Sequence, residues 1–330
     1  MKREFCLITL WNWSKLTSKN TKETEFFVFS VSFDVQIENM MRECLYSFWL
    51  FFTILSMAVL PLSAQRFMRT DDFTLLDEGI CSVAYEVIYA PDSTKPAEKE
   101  HDVFRLDIGE RWSKSYSYAL FRYDSICTER ARKGRDVLGG ADTRLFMEAF
   151  KDRKNHEMTV THRTYDIGPV FKYQEPSDVL MDWVFSDEVC TILDYRCQKA
   201  VCSFRGRTWT AWFAPEIPIP DGPWKFAGLP GLILKVEDDR GQYAFSCIAI
   251  RNEAKPIVRW NYDYKEATRE ETWKFDQECY SDLYDYALRL DPNTQLLADV
   301  VDASGRTVEV EITRGGPYKL VWPYNPLELK

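Results

Sequence analysis

The chain has only three histidines, His101, His156 and His162, in 330 residues. Scarce imidazoles are the first place to look for acid–base chemistry or a metal. His156 and His162 bracket Glu157, but they fit no H-E-x-x-H helix and their segment alternates like a strand. An even separation puts both on one face of a strand. The pair is read as exposed in a sheet, and neither a metal nor a cofactor is expected. No nucleophile elbow of the G-x-S-x-G form occurs. Cys197 or Cys202 would react only beside an imidazole that lowered its pKa, and no spacing supplies one. Gly228-x-x-Gly231 contains Pro230, which lacks the N–H that a phosphate cradle needs. Paired carboxylates could cleave a glycosidic bond. Asp238-Asp239 is turn chemistry. Glu216 and Asp221 flank one loop and are the acid/base candidates of an alternative reading, a periplasmic hydrolase acting on peptide or glycan.

The stretch 204–236, FRGRTWTAWFAPEIPIPDGPWKFAGLPGLILKV, concentrates what remains. Trp209, Trp212 and Trp224 offer flat apolar faces, and Arg205, Arg207 and Lys225 offer positive charge nearby. Guanidinium beside indole suits carboxylate, peptide or sugar-acid ligands through bidentate bonds and stacking. Prolines at 215, 218, 220, 223 and 230 stiffen the segment, so binding would lose little entropy. These six side chains form the expected ligand-binding set. On a regular strand Arg205, Arg207 and Trp209 share one face and Trp212 takes the other. The competing reading makes Trp212, Trp224 and Leu229 core plugs, with the Gly228-Leu229-Pro230-Gly231 turn closing the core.

Short β-prone runs must position this stretch. Residues 80–89 alternate, with Val83, Tyr85, Val87 and Tyr89 on one side. Residues 103–108 and 112–118 read as strands split by Gly109-Glu110. Residues 119–133 are helix-compatible, and 143–151 read as a short helix or loop. Strands are expected at 158–165, 170–173, 179–185, 194–204 and 208–213. Residues 229–236 and 243–250 form a hairpin around Asp238-Asp239-Arg240-Gly241. Residues 264–290 have helical spacing that Asp291-Pro292-Asn293 ends, 307–313 read as a half-exposed strand, and the aromatic run 317–326 lies on the body. No solenoid repeat appears. The expected fold is mainly β (α+β): a curved antiparallel sheet or half-barrel with one or two packed helices. Its analogy to periplasmic lipoprotein carriers is one of shape alone.

Gly228-Leu229-Pro230-Gly231-Leu232-Ile233 spells the hexapeptide of the GLPGLI family, found mainly in Bacteroidota. Phe204-Arg205-Gly206-Arg207, Ala211-Trp212-Phe213, Pro215-Glu216-Ile217-Pro218 and Gly222-Pro223-Trp224 resemble the blocks around it. Leu106-Asp107-Ile108-Gly109 with residues 113–117, the run 195–200 and Asn325-Pro326-Leu327-Glu328 resemble others. The resemblance spans most of the chain after about residue 75. It implies export and brings no established activity.

Residues 40–64 follow the grammar of a secretory signal peptide: Arg42, an apolar run over 45–60, then Ser63-Ala64 before Gln65. Cleavage is expected between Ala64 and Gln65. A membrane-spanning helix is the rival reading, disfavoured by Pro61 and the missing basic stop-transfer cluster. Residues 1–39 read as a misassigned extension, with Met40 or Met41 as the true start, and residues 65–330 as a single exported β-rich domain. Residues 1–64 hold six basic and six acidic side chains, so the net charge of −9 stays with the 266 residues after the cut. That charge excludes nucleic acid and anionic membrane as partners, apart from the leader before cleavage. Seven cysteines follow residue 64, and export makes disulfides as plausible as buried thiols. The expectation is a periplasmic or secreted, non-enzymatic protein binding a peptide, a glycan or an envelope protein, with an outer-membrane system as one possible partner.

Overall fold

The structure, a computed structural model, describes residues 67–137, 140–164, 168–177, 181–253, 255–290, 296–301, 305–317, 319–321 and 323–329. The leader, the Ala64–Gln65 junction and the extension before them lie outside the described residues. The chain divides into two compact units: Gln65–Leu296 with Glu311–Lys330, and a second that includes Leu297–Val310.

Alternation organises the larger unit. β2 (Gly79–Tyr89) turns Val83, Tyr85, Val87 and Tyr89 to one side, and all four are buried. It begins an antiparallel meander of β3 (Glu100–Gly109), β4 (Trp112–Ser117), β5 (Met147–Asp152), β6 (Glu157–Arg163) and β7 (Val170–Pro176). A second meander runs through β8 (Val184–Ile192), β9 (Tyr195–Phe204), β10 (Arg207–Ala214), β11 (Leu232–Asp238) and β12 (Tyr243–Arg251). β12 pairs with β2, which joins the two into one open, curved sheet. β8 forms one edge, and the two-residue β14 (Lys265–Glu266), parallel to β7, forms the other. Tight turns fix the register. Arg205 and Gly206 have φ of 51° and 83° between β9 and β10, and Leu193 and Asp194 have 48° and 68° between β8 and β9. Two successive positive φ values make the primed turn whose twist matches that of paired strands.

One sheet face carries α1 (Tyr118–Arg132) and the paired strands β1 (Phe73–Asp77) and β13 (Ile257–Trp260). The Ser117 hydroxyl caps α1 by accepting from the Leu120 N–H. Phe121 packs on Tyr116 and Trp260, and beneath them Lys114 pairs with Glu148 at 2.8 Å, out of water. The opposite face holds the main core: Tyr85, Phe104, Leu106, Trp209, Phe213 and Phe245. Over it lie the 215–231 connection, α2 (Arg269–Ser281) and the closing residues 323–329. Thr268 and Glu271 form a reciprocal capping box at the start of α2. β15 (Leu296–Val301) pairs with β16 (Thr307–Ile312), and most of both strands falls in the second unit.

The fold is the expected mainly β sheet, and three segments differ from expectation. Residues 143–151, read as a short helix or loop, run into β5 (Met147–Asp152), which is a strand because strands flank it on both sides. Of the strand expected over 179–185, residues 179 and 180 lie outside the described residues, and 184–185 begin β8 (Val184–Ile192), whose charged residues 187 and 188 hid its extent, as an edge position tolerates them. The expected helix over 264–290 starts late and breaks at Asp282, where φ is −160°, before α3 (Leu283–Leu290).

Candidate functional site

The 215–231 connection crosses the sheet face because β4 and β5 receive it. Ser113, Ser115 and Ser117 are small enough to let backbone approach, and the Trp224 N–H donates to Ser115 Oγ at 2.7 Å. Lys151 Nζ, buried, donates to Asp221 Oδ1 at 2.6 Å and to the Gly222 and Phe226 carbonyls at 2.8 Å each. Those three acceptors use all three ammonium hydrogens. The two motif glycines do different work. Gly228 has φ 87° with open space where a side chain would point, whereas a Cβ on Gly231 would lie 2.3 Å from the Ala214 carbonyl oxygen. One supplies a left-handed turn and the other a close backbone approach.

The side chains expected to bind ligand are placed otherwise, and this corrects the surface reading. Trp209 and Trp224 are 0% exposed and pack on each other and on Phe226. Arg207 is buried beside Trp209, and Trp212 lies half-buried on the other face, as alternation requires. Arg205 sits in the hairpin turn rather than on the strand. The Arg207 guanidinium has five N–H groups, and all five are used. Nη1 donates to Asp238 and Gln242, Nη2 to the Asn325 side chain and the Pro326 carbonyl, and Nε to the Leu327 carbonyl. Lys225 Nζ donates to Tyr173 OH at 3.1 Å and is ion-paired with Glu328 at 2.5 Å and with Glu175. Burial pulls the Lys225 pKa down, but Tyr173, Glu328 and Glu175 outweigh it and raise the value, so the ammonium is charged. Arg205 pairs with Glu175 at 2.7 Å, and its carbonyl accepts from the Leu329 N–H. The motif cations therefore hold the chain's own residues 325–329. The physical reason is desolvation: a buried cation needs an internal anion, and these have one.

The hydrolase pair is not assembled as a pair. Asp221 is buried as the counterion of Lys151, with Arg153 at 3.6 Å, while Glu216 is exposed. Burial pushes Cys197 up to about 11 and Cys202 up to about 12, so neither is a thiolate at neutral pH. The seven cysteines of the described residues are free thiols, six of them buried. His156 sits exposed in a turn with φ 56°, and the two histidines are not an exposed pair. His162 faces inward from β6, and its Nε2 lies 2.6 Å from Asp276 Oδ2 on α2. No group of three or more metal-ligating side chains is present among the described residues.

That histidine belongs to a cavity the sequence did not suggest. It has a volume of about 80 Å³, is partly open, and is bounded by the sheet, α2 and the closing segment. His162 and Tyr173 reach it from the sheet, Trp273 and Asp276 from α2, and Tyr324 from the closing segment. Three buried polar atoms of these side chains have no hydrogen-bond partner within the protein: Trp273 Nε1, Asp276 Oδ1 and Tyr324 OH. Unpaired buried groups are rare and costly in folded proteins. Burial, and then the charge of Asp276, pushes the Tyr324 hydroxyl pKa up, so it remains a donor at neutral pH. One sequence signal was available: Asp276 falls between Trp273 and Tyr280 in the aromatic stripe of α2, where a carboxylate needs a reason.

Comparison with known proteins adds a partial assignment. Residues 204–235 match the family model described as "Protein of unknown function (Porph_ging)", which supports a Bacteroidota-type domain of unknown function over that segment. No curated protein matches the chain. Among solved structures, the chain is similar to "Structure of PNGF-II in P21 space group", at 13% identity and a TM-score of 0.42, over 62% of this chain and 34% of that one. The C2 form of PNGF-II gives 14% identity and a TM-score of 0.41 over the same shares. The chain spans about a third of the length of those proteins.

Proposed function

We propose that this is an exported binding protein of the GLPGLI family, with its ligand seat in the cavity between the sheet, α2 and residues 323–329. The supporting observation is the set of unpartnered buried atoms, Trp273 Nε1, Asp276 Oδ1 and Tyr324 OH, on side chains that line one cavity. A bound polar ligand would satisfy groups that the protein's own side chains leave without partners. Export rests on the leader-like order of residues 40–64, and the family name on the Gly228–Ile233 hexapeptide within the matched segment. The motif's task in this reading is architectural: Arg207, Lys225 and Arg205 hold the segment that forms one cavity wall.

Thermal unfolding of the purified protein against panels of sugars, amino acids and short peptides, carboxylic acids and amines tests the seat. At least one class should raise Tm, because a ligand that binds only the folded state stabilises it. The rise should shrink in Trp273→Phe. If no class raises Tm, the binding reading fails. Fractionation of cells making the full chain tests export, and retention of an uncleaved product in the cytoplasm would end that part.

A further inference from the structure

The unpartnered atoms restrict the chemistry of what the cavity takes. This argument rests on the cavity being a ligand seat. Indole Nε1–H is a donor only, and a carboxylate oxygen is an acceptor only. A ligand serving both Trp273 Nε1 and Asp276 Oδ1 must therefore accept and donate, and Tyr324 OH can do either. A simple ammonium ion offers no acceptor, and sulfate or an ionised dicarboxylate offers no donor. The charged side chains of the wall already have partners within the protein. Arg144 pairs with Glu100 at 3.2 Å, Arg269 with Glu328 at 2.8 Å, and Asp276 with His162. An added charge would enter without a counterion and lose its hydration. The remaining wall is aromatic and apolar, with Tyr173, Trp273, Tyr280 and Tyr324 among its rings. At roughly 10–15 Å³ per water site, a cavity of about 80 Å³ holds some five to eight waters, or the bulk of one six-membered polyol ring.

We infer that the cavity is a seat for one neutral sugar ring. Its hydroxyls bridge Trp273 Nε1, Asp276 Oδ1 and Tyr324 OH, and its apolar face lies on the aromatic wall. A hydroxyl both donates and accepts, so adjacent hydroxyls on one ring edge meet all three needs without bringing charge. Asp276 is held for this by His162 from β6, which makes His162 a positioning residue.

The test is calorimetric titration of the full protein with glucose, galactose, mannose and N-acetylglucosamine, beside glycine, succinate and choline. At least one neutral sugar should bind saturably, and the three charged solutes should not. Tyr324→Phe keeps the ring and removes the hydroxyl, Trp273→Phe keeps an aromatic ring and removes the indole N–H, and each should weaken the sugar by about 3–10-fold. Circular dichroism and unchanged Tm without sugar verify that both variants fold. Binding of glycine, succinate or choline instead, lost in Trp273→Phe, would overturn the sugar assignment and leave the ligand seat standing. Sugar binding indifferent to both substitutions would overturn the site. Failure of every solute, in titration and in the wider Tm screen, would overturn the seat itself.

Discussion

Arg207 and Lys225 show how a residue type can be right for recognition and still recognise nothing external. Each has its charge met inside the protein, Arg207 by five hydrogen-bond acceptors and Lys225 by Tyr173 and two carboxylates. Replacing Lys225 by Met should cost about 3–5 kcal/mol of stability, because Glu175 and Glu328 would stay buried without their shared cation. Urea unfolding measures it, and a loss under 1 kcal/mol would show that water reaches the pair. The indoles divide in the same way. Trp224→Ala removes a fully buried ring and should cost about 3–5 kcal/mol. Trp212→Ala, on the half-exposed opposite face, should cost well under half of that. Alternation along 207–213 made the opposed faces of Trp209 and Trp212 legible. It said nothing about which face was covered, since the cover comes from beyond the strand, Trp224 and Phe226 over Trp209 and Asn325, 118 positions away, over Arg207.

At the scale of elements, the 215–231 connection behaves as part of the core. Its Gly228-Leu229-Pro230-Gly231 turn buries Leu229 while its two glycines solve two unlike backbone problems. Gly231→Ala should destabilise by about 1–3 kcal/mol, since its Cβ would strike the Ala214 carbonyl and Pro215 Cα, which are backbone and yield little. Gly228→Ala should cost about 1–2 kcal/mol through left-handed strain alone, and Gly228→Asn less, because Asn tolerates that region. Equal losses for Gly228→Ala and Gly228→Asn would count against the φ argument. Punctuation of this kind is readable in sequence: the hairpin at 238–241 appears where the glycine and aspartates put it. Pairing partners are less readable, and β5 is a strand because β4 and β6 flank it, against the preference of its own residues.

The larger unit is tied together by one buried ion network. Glu328 of the closing segment meets Lys225 of the loop, Arg205 of the β9–β10 turn and Arg269 of α2, while Glu175 of β7 meets the first two. Burial pushes the Glu328 carboxyl up, but Lys225, Arg269 and Arg205 outweigh it and hold its pKa below the ordinary 4.5. A carboxylate depressed in the folded state contributes fully above its unfolded pKa and loses that contribution as pH falls through the folded value. Tm should therefore hold from neutral pH down to about 5 and fall below about 4.5. Glu328→Gln should lower Tm at pH 7 and flatten the acid limb. An acid limb unchanged in that variant would place the proton uptake elsewhere. Removing residues 323–330 should destabilise more than Glu328→Gln alone, since Arg207 then loses its Asn325, Pro326 and Leu327 acceptors as well.

By itself the sequence determined the sheet-building periodicity, the placement of most strands, the turn at 238–241 and the leader-like order of residues 40–64. All of these depend on neighbours a few positions apart. Tertiary structure alone decided that the motif cations face carboxylates of their own chain, that Asp221 neutralises Lys151, and that His162, Asp276, Trp273 and Tyr324 share a cavity. A hydrogen bond or ion pair depends on distance in space. His162 and Asp276 are 114 positions apart in the chain and 2.6 Å apart in the fold.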